Sequence, residues 1–438
     1  MLYRNLLYWL SYFIISFKPL LKLYHSFFYI MFASHNIVSW ILIWVSIAFV
    51  VTSCKSNQEQ NKPDNKPPTF DLTKEYPARD LAFQEMAEVE YIPLETTDNS
   101  LLSSLSYLFV SDSLVVTYCW ENGSVLFFDR TGKFLHSFSH KGESEQEYAS
   151  MIGMTVDFDA KEVFIVDYRG FTPTKIKVYS FDGDYLRTLN MPQNFNLKIT
   201  DYDKNYLFAE DISYVDYDKL SEGHQPSHNP YYLISKKTGE MLSQNVYVEN
   251  RLRNQSMYTK ELDEYHTQTI CFTLPMCPVS KNEGEIFVAD FGLDTIYAVK
   301  DKQWAPIAVK VNRLTPQNSV IMTEVCMRTD NYLLLATNDK GLMTKVPRYL
   351  LYDSASGKTE TIAWFNRDGV SKEETVGRSL LPTSSCSVLP VNTMYFAYSA
   401  NFLVEKYGKG ELSGRLKEIA SQLDVEDNMV VVLVKFKK

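Results

Sequence analysis

The sequence predicts an all-β fold: a six-bladed β-propeller closed by strands from both chain ends, with a short C-terminal helix. Three observations carry this. Aromatic residues reach 14% of the 438 positions, chiefly Tyr and Phe, the side chains that suit pleated, half-buried strands. From about Asp71 the chain runs as short β-type segments between turn signals, with little helical periodicity before residue 410. One unit also recurs: a strand, a polar turn, a second strand ending in an Asp-containing turn with glycine, and a third strand.

The clearest unit reads Leu114–Tyr118, then Asn122–Gly132, then Lys133–Phe138. The next reads Val163–Asp167, Lys175–Gly183 and Asp184–Leu189. Weaker copies begin at Tyr206, Glu285, Tyr332 and Met394. The turn glycines Gly132, Gly183 and Gly239 lie 51 and 56 residues apart, and Gly357 follows 118 later, two periods of 59. A four-stranded blade with its loops needs roughly 40–50 residues, so six units fit six blades with some longer connections. Ring closure calls for one blade built from both ends: Glu88–Leu94 supplies an N-terminal strand and Met429–Phe436 a C-terminal one. Between Glu411 and Leu423, Leu412, Leu416, Ile419 and Leu423 recur at helical spacing, an apolar face for packing on the last blade.

Residues 1–53 differ in kind. They hold Arg4, Lys18 and Lys22 and no acid, so the remainder carries 44 − 3 = 41 basic against 53 acidic side chains, or −12. An uncharged apolar run, Ile37–Val51, leads into Val51-Thr52-Ser53-Cys54. Some 15 apolar residues are short for a membrane span and suit a signal-peptide core. The segment resembles a bacterial lipoprotein signal, which implies cleavage before Cys54 and lipid attachment to it. The alternative is a transmembrane anchor. The start lies at Met1 or at Met31. Lys55–Pro68 holds no apolar residue but proline and reads as a tether. The expected organisation is a hydrophobic leader over 1–53, a lipidated tether over 54–70 and the propeller over 71–438.

The body also resembles the six-bladed β-propeller lipoproteins of gut Bacteroidetes, NHL-like propellers of unknown function. The likeness rests on Tyr91-Ile-Pro-Leu-Glu-Thr96, on Gly142-Glu-Ser-Glu-Gln-Glu-Tyr148 and on Asp427–Phe436. The family's middle segment usually reads Gly-x-Gly-Pro-x-Glu-Tyr; here Ser144 and Glu145 replace its second Gly and its Pro. The resemblance implies fold and export and carries no catalytic residues.

Chemistry is sparse. No nucleophile elbow, zinc-protease helix or phosphate loop occurs; Gly408–Gly414 lacks the dinucleotide spacing and reads as a linker. His136 and His140, and His224 and His228, are four apart but on strand or loop, so no metal site and no cofactor is expected. The formal charge of −9 gives no field for nucleic acid. Five cysteines follow Cys54, an odd number; Cys271 and Cys277 could pair, though buried thiols are the simpler reading. Aligning the repeats places Tyr118, Asp167, Asp211, Asp290, Asn338 and Ser399 at equivalent strand ends, a candidate polar ring for a sugar, a polyol or a cation. Such side chains can instead bond their own turns. The expected function is an envelope lipoprotein, held to the outer membrane by lipid, whose monomeric body binds a glycan or an envelope protein. Ser213–Pro230 and Asn245–Thr269 are its candidate contact loops. The alternative is a propeller enzyme, a carbohydrate lyase or a hydrolase, with a central-channel site.

Overall fold

The computed structural model describes residues 66–437 apart from 106, 168, 170–173, 193, 194, 196, 213–227, 250–254, 264, 265, 274, 275, 283, 316–318, 340–346 and 372–387. The leader, Cys54 and the tether up to residue 65 therefore lie outside the described residues, as do His224 and Cys386.

The chain begins with β1 (Thr69–Asp71), β2 (Ala78–Ala82), one helical turn α1 (Phe83–Met86) and β3 (Ala87–Pro93). Blade 1 follows as β4 (Leu108–Val110), β5 (Leu114–Cys119), β6 (Ser124–Asp129) and β7 (Phe134–Phe138). Blade 2 is β8 (Met151–Asp157), β9 (Glu162–Asp167), β10 (Lys175–Ser180) and β11 (Tyr185–Asn190). Blade 3 is β12 (Leu197–Asp201), β13 (Tyr206–Asp211), β14 (Tyr231–Ser235) and β15 (Met241–Ser243). A separate hairpin, β16 (Gln255–Asp263) with β17 (His266–Thr273), precedes blade 4. Blade 4 is β18 (Val279–Asn282), β19 (Glu285–Val288), β20 (Thr295–Lys300) and β21 (Gln303–Val311). Blade 5 is β22 (Ile321–Arg328), β23 (Tyr332–Asp339), β24 (Arg348–Asp353) and β25 (Lys358–Phe365). Blade 6 joins β26 (Thr393–Tyr398), β27 (Val430–Phe436) and β3, with α2 (Ala400–Gly408) and α3 (Gly414–Ala420) between β26 and β27.

Six apolar clusters close the ring, one for each pair of neighbouring blades. Phe109, Val116, Met154 and Ile165 join blades 1 and 2; Phe164, Ile176, Ile199 and Leu207 join 2 and 3. Phe208, Tyr231, Ile286 and Val288 join 3 and 4; Phe287, Ile296, Val325 and Leu335 join 4 and 5. Leu334, Tyr349, Met394 and Val430 join 5 and 6; Ile92, Leu108, Tyr395 and Val431 join 6 and 1. Every blade is covered on both faces, so its middle strands read as nearly unbroken apolar runs. In Val125-Leu126-Phe127-Phe128, Val125 and Phe127 pack toward blade 2, and Leu126 and Phe128 toward blade 6, as the two-residue side-chain period requires.

Closure is as the sequence predicts: β27 pairs antiparallel with β3, Val431 opposite Ile92. The N-terminal segment does more than was expected. The first strand is not at Glu88 but at Thr69, inside the stretch expected to be tether. β1 adds in parallel to the outer strand of blade 4, Thr69 opposite Val309, and β2 to that of blade 5, Ala78 opposite Thr361. The chain thus covers the outer edges of blades 4, 5 and 6 in turn, hiding backbone that would otherwise template another chain. Phe70 and Leu72 enter the blade 4–5 cluster; Phe83 stacks on Trp364 with ring centres 5.2 Å apart.

One other expectation changes. The helical segment expected over Glu411–Leu423 is shorter, Gly414–Ala420, and a second helix, α2, precedes it; Gly408–Gly414 links them. Cys277 is a free buried thiol, as are Cys119 and Cys326, so it does not pair with Cys271.

In each four-stranded blade, turns between the first and second strands and between the third and fourth fall at one end of the ring, here the hairpin end; in blade 6, β26, β27 and β3 take the second, third and fourth places. The other connections fall at the opposite, insertion end. Turns at the hairpin end are short, as at 202–205 and 301–302, whereas 212–230, 244–278 and 399–429 all connect at the insertion end.

Candidate functional site

The six equivalent positions of the repeat all sit at the insertion end, where second strands finish. Five are buried: Tyr118, Asp167, Asp211, Asp290 and Asn338. Asp167 accepts the Ala149 N–H at 2.8 Å and the Arg169 Nε–H at 2.9 Å. Asp290 accepts the Tyr231 hydroxyl at 2.5 Å and the Gly292 N–H at 2.7 Å. Tyr118 packs edge-on to Trp120, centres 5.2 Å apart. The Asp211 N–H donates to the Pro230 carbonyl at 2.8 Å, and Asn338 stands opposite Met322. Ser399 is exposed and caps α2, its hydroxyl oxygen accepting the Phe402 N–H at 3.4 Å. The strand ends are equivalent, but Asp167 and Asp290 turn to partners two residues on, and Ser399 serves a helix.

Gly142–Tyr148, the segment that carries the family resemblance, is a clasp at this end. Arg169 donates to the carbonyl oxygens of Glu143, Ser144 and Glu147 and pairs with the Glu143 carboxylate at 3.1 Å. The Tyr179 hydroxyl donates to the Gln146 carbonyl at 2.7 Å, and the Tyr148 hydroxyl to the Gly123 carbonyl at 2.5 Å. Glu147 folds back to accept the Ser144 N–H at 2.8 Å. Its carboxyl is held below the ordinary range by that bond and by the Ser144 hydroxyl. The motif therefore fixes a blade-to-blade connection around one guanidinium, which accounts for Glu147 and Tyr148.

A second polar group was not anticipated, because its members come from three blades. The Lys198 Nζ of β12 lies 3.3 Å from the Cys277 sulfur, just before β18. The Cys277 N–H donates at 3.1 Å to Glu324 Oε2 on β22, and Glu324 Oε1 has no partner among the described residues although the side chain is fully buried. Burial raises the Glu324 carboxyl well above its ordinary range, and the neighbouring Cys277 sulfur pushes the same way. A buried thiol beside an ammonium and a protonated carboxyl is chemically competent, both for proton transfer and for holding a polar ligand. Its one signal in the sequence is a single charge inside Ile321-Met-Thr-Glu-Val-Cys-Met327.

At the hairpin end Lys236 bridges blades 2 and 3, 2.5 Å from both Asp157 and Asp201, and Asp201 also holds Lys281 at 2.7 Å. Burial lowers the affinity of Lys236 for its proton, and Asp201 and Asp157 outweigh that, so its pKa stands above the ordinary lysine value. Three of the histidines serve backbone: His136 Nε2 lies 2.9 Å from the Phe181 carbonyl, His140 Nε2 2.6 Å from that of Gly183, and His228 Nδ1 3.0 Å from that of Val248. Among the described residues no three His, Cys, Asp or Glu side chains gather as a metal site.

No functionally curated protein matches this chain. Among solved structures it is similar to a protein of Bacteroides fragilis described as exported, at 16% identity and a TM-score of 0.57, over 84% of this chain and 99% of that one. A member of the DUF4221 family from Bacteroides vulgatus aligns at 10% identity and a TM-score of 0.43, over 80% and 97% of the two chains. The first shows a shared fold. Residues 67–435, from just before β1 almost to the end of the chain, match the domain of unknown function DUF4934, and the chain belongs to that family.

Proposed function

We propose that this is an envelope lipoprotein whose propeller is a rigid platform for binding a glycan or an envelope protein. The observation that carries the reading is the asymmetry of the ring. The connections 212–230, 244–278 and 399–429 share one end over a closed scaffold, and binding residues concentrate on such loops. Of the two candidate contact loops, 213–227 lies outside the described residues, and the other holds the β16–β17 hairpin. The fold shared with an exported Bacteroides protein supports an envelope location.

The test has two arms. Labelled fatty acid should enter the wild type and not Cys54→Ala, which should leave the membrane fraction; unlabelled wild type sinks the lipid anchor. Glycan arrays and envelope cross-linking with the full chain should yield a partner that is lost when the β16–β17 hairpin is replaced by a short turn.

The central-channel enzyme is kept as a second reading by one observation, the buried Glu324 carboxyl beside the Cys277 sulfur and Lys198. Turnover of a carbohydrate or ester substrate that is abolished by Glu324→Gln would favour it over the platform.

A further inference from the structure

A cleft of about 710 Å³ opens at the hairpin end, formed by turns of blades 2, 3 and 4. Its two acids are already matched. Glu162 takes both ends of the Arg187 guanidinium, at 2.7 and 2.6 Å, and Asp157 takes Lys236 at 2.5 Å. Three further cations line the same cleft: Lys204, Lys237 and Lys302. All three are exposed, and among the described residues none has an ion-pair partner. Lys302 lies over the Tyr206 ring, 4.0 Å from its centre. Asp203, beside Lys204, is turned away, its Oδ1 accepting the N–H groups of Asn205 and Tyr206 at 2.7 and 2.8 Å. Three unmatched ammonium groups in one cleft stand out on a chain of formal charge −9.

The kind of cation selects the ligand. A carboxylate is best held by the two-pronged guanidinium, and the one guanidinium among the described lining residues, Arg187, is committed to Glu162. Lysine ammonium groups act as point charges and suit a group of higher charge with several acceptor oxygens. We propose that this cleft binds a phosphate monoester, with Lys204, Lys237 and Lys302 as its direct partners.

The phosphate can come from a soluble sugar phosphate or from a lipid headgroup. The lipid source is tested in its own arm. The proposal goes beyond the binding platform and stands whether or not Cys54 carries lipid.

The full chain in detergent is titrated with glycerol phosphate, with inorganic phosphate, and with phosphatidylcholine vesicles with and without phosphatidic acid. Glycerol phosphate should bind saturably and more weakly as salt rises. The Lys204→Glu/Lys237→Glu/Lys302→Glu variant should lose at least about tenfold in affinity, or about 1.4 kcal/mol. Lys417→Glu on α3 should change nothing. All three lysines are exposed, so the triple variant should melt like the wild type. Capture by phosphatidic acid vesicles over neutral ones, lost in the triple variant, assigns the headgroup source; glycerol phosphate binding without that difference assigns the soluble one. Wild type that does not bind glycerol phosphate saturably, or a triple variant of unchanged affinity, overturns the proposal.

Discussion

The Lys310 ammonium, 2% exposed, donates to the backbone carbonyl oxygen of Asp290 at 2.6 Å and to that of Ala289 at 3.3 Å. A cation satisfied by carbonyls keeps hydrogen bonds but loses its water. Burial is the main cause that brings its pKa down from 10.5 to about 7, against the attraction of Asp290.

This gives a pH dependence of definite sign. Between about 7 and 10.5 the unfolded chain holds a proton on Lys310 that the folded chain does not, so stability rises with pH across that window and levels off outside it. The full swing is at most about 5 kcal/mol, 3.5 pKa units at about 1.4 kcal/mol each. Urea unfolding of wild type and Lys310→Met from pH 7 to pH 10 should show the wild type gaining on the variant as pH rises. Parallel curves would refute it.

The N-terminal segment should be a structural part of the ring rather than a leash. Phe70 is fully buried between blades 4 and 5 and meets Tyr352 edge-on at 6.2 Å. Phe70→Ala should cost about 3–5 kcal/mol, a cavity cost typical of a buried ring. Thr73→Ala, three residues on and exposed, should cost under about 1 kcal/mol. Melting temperatures of the two variants check this; equal losses would show that the segment is only loosely attached.

Two turn glycines with positive φ should respond differently to alanine. At Gly132, φ +90°, an added Cβ would stand 1.9 Å from the Pro93 carbonyl oxygen of the closing strand β3. At Gly357, φ +66°, it would meet nothing within 4 Å. Gly357→Ala should cost only the backbone strain, about 1–2 kcal/mol. Gly132→Ala should cost clearly more, because β3 has to shift and with it the seam that closes the ring. Denaturant midpoints for the pair give the comparison, and a Gly132→Ala loss no larger than that at Gly357 would mean the seam is soft.

The same seam shows what the sequence makes legible. The second and third strands of each blade were readable because both faces are covered, giving runs such as Val163–Val166 that end in a polar residue. Inner strands such as Leu108–Val110 and Val279–Asn282 were missed. They are short, and the second carries Ser280, Lys281 and Asn282 because its side chains lie near other polar groups: Ser280 donates to Val325 O, Lys281 to Asp201, and Asn282 to Asn392. Thr69–Asp71 was invisible for another reason. Three residues have no period, and the strand exists only through a partner 240 positions away.

The candidate site divides the same way. Equivalent positions could be aligned, but the aim of Asp167 and Asp290 depends on Arg169 and Gly292, a local contact that alignment does not see. The lysines of the hairpin-end cleft come from three separate turns, so no stretch of sequence brings them together.

Glu324 offers the sharpest test of the interior. Its carboxyl is fully buried, its Oε2 accepts the Cys277 N–H, and its Oε1 has no partner among the described residues. The raised pKa means that the folded chain keeps a proton the unfolded chain loses above about 4.5, so stability falls as pH rises from there through the folded pKa. An amide of the same shape has no proton to lose. Glu324→Gln should therefore match the wild type near pH 4 and exceed it in stability at neutral pH, while still accepting the Cys277 N–H. Glu324→Ala should fall below Glu324→Gln at every pH, because it leaves a cavity and orphans that N–H, at about 1–3 kcal/mol for the lost acceptor. Unfolding midpoints of the three proteins from pH 4 to pH 8 decide it. If Glu324→Gln is the less stable protein at neutral pH, the carboxylate is ionised and paired in the fold, and Lys198 becomes its counter-ion rather than a neighbour of the Cys277 sulfur alone.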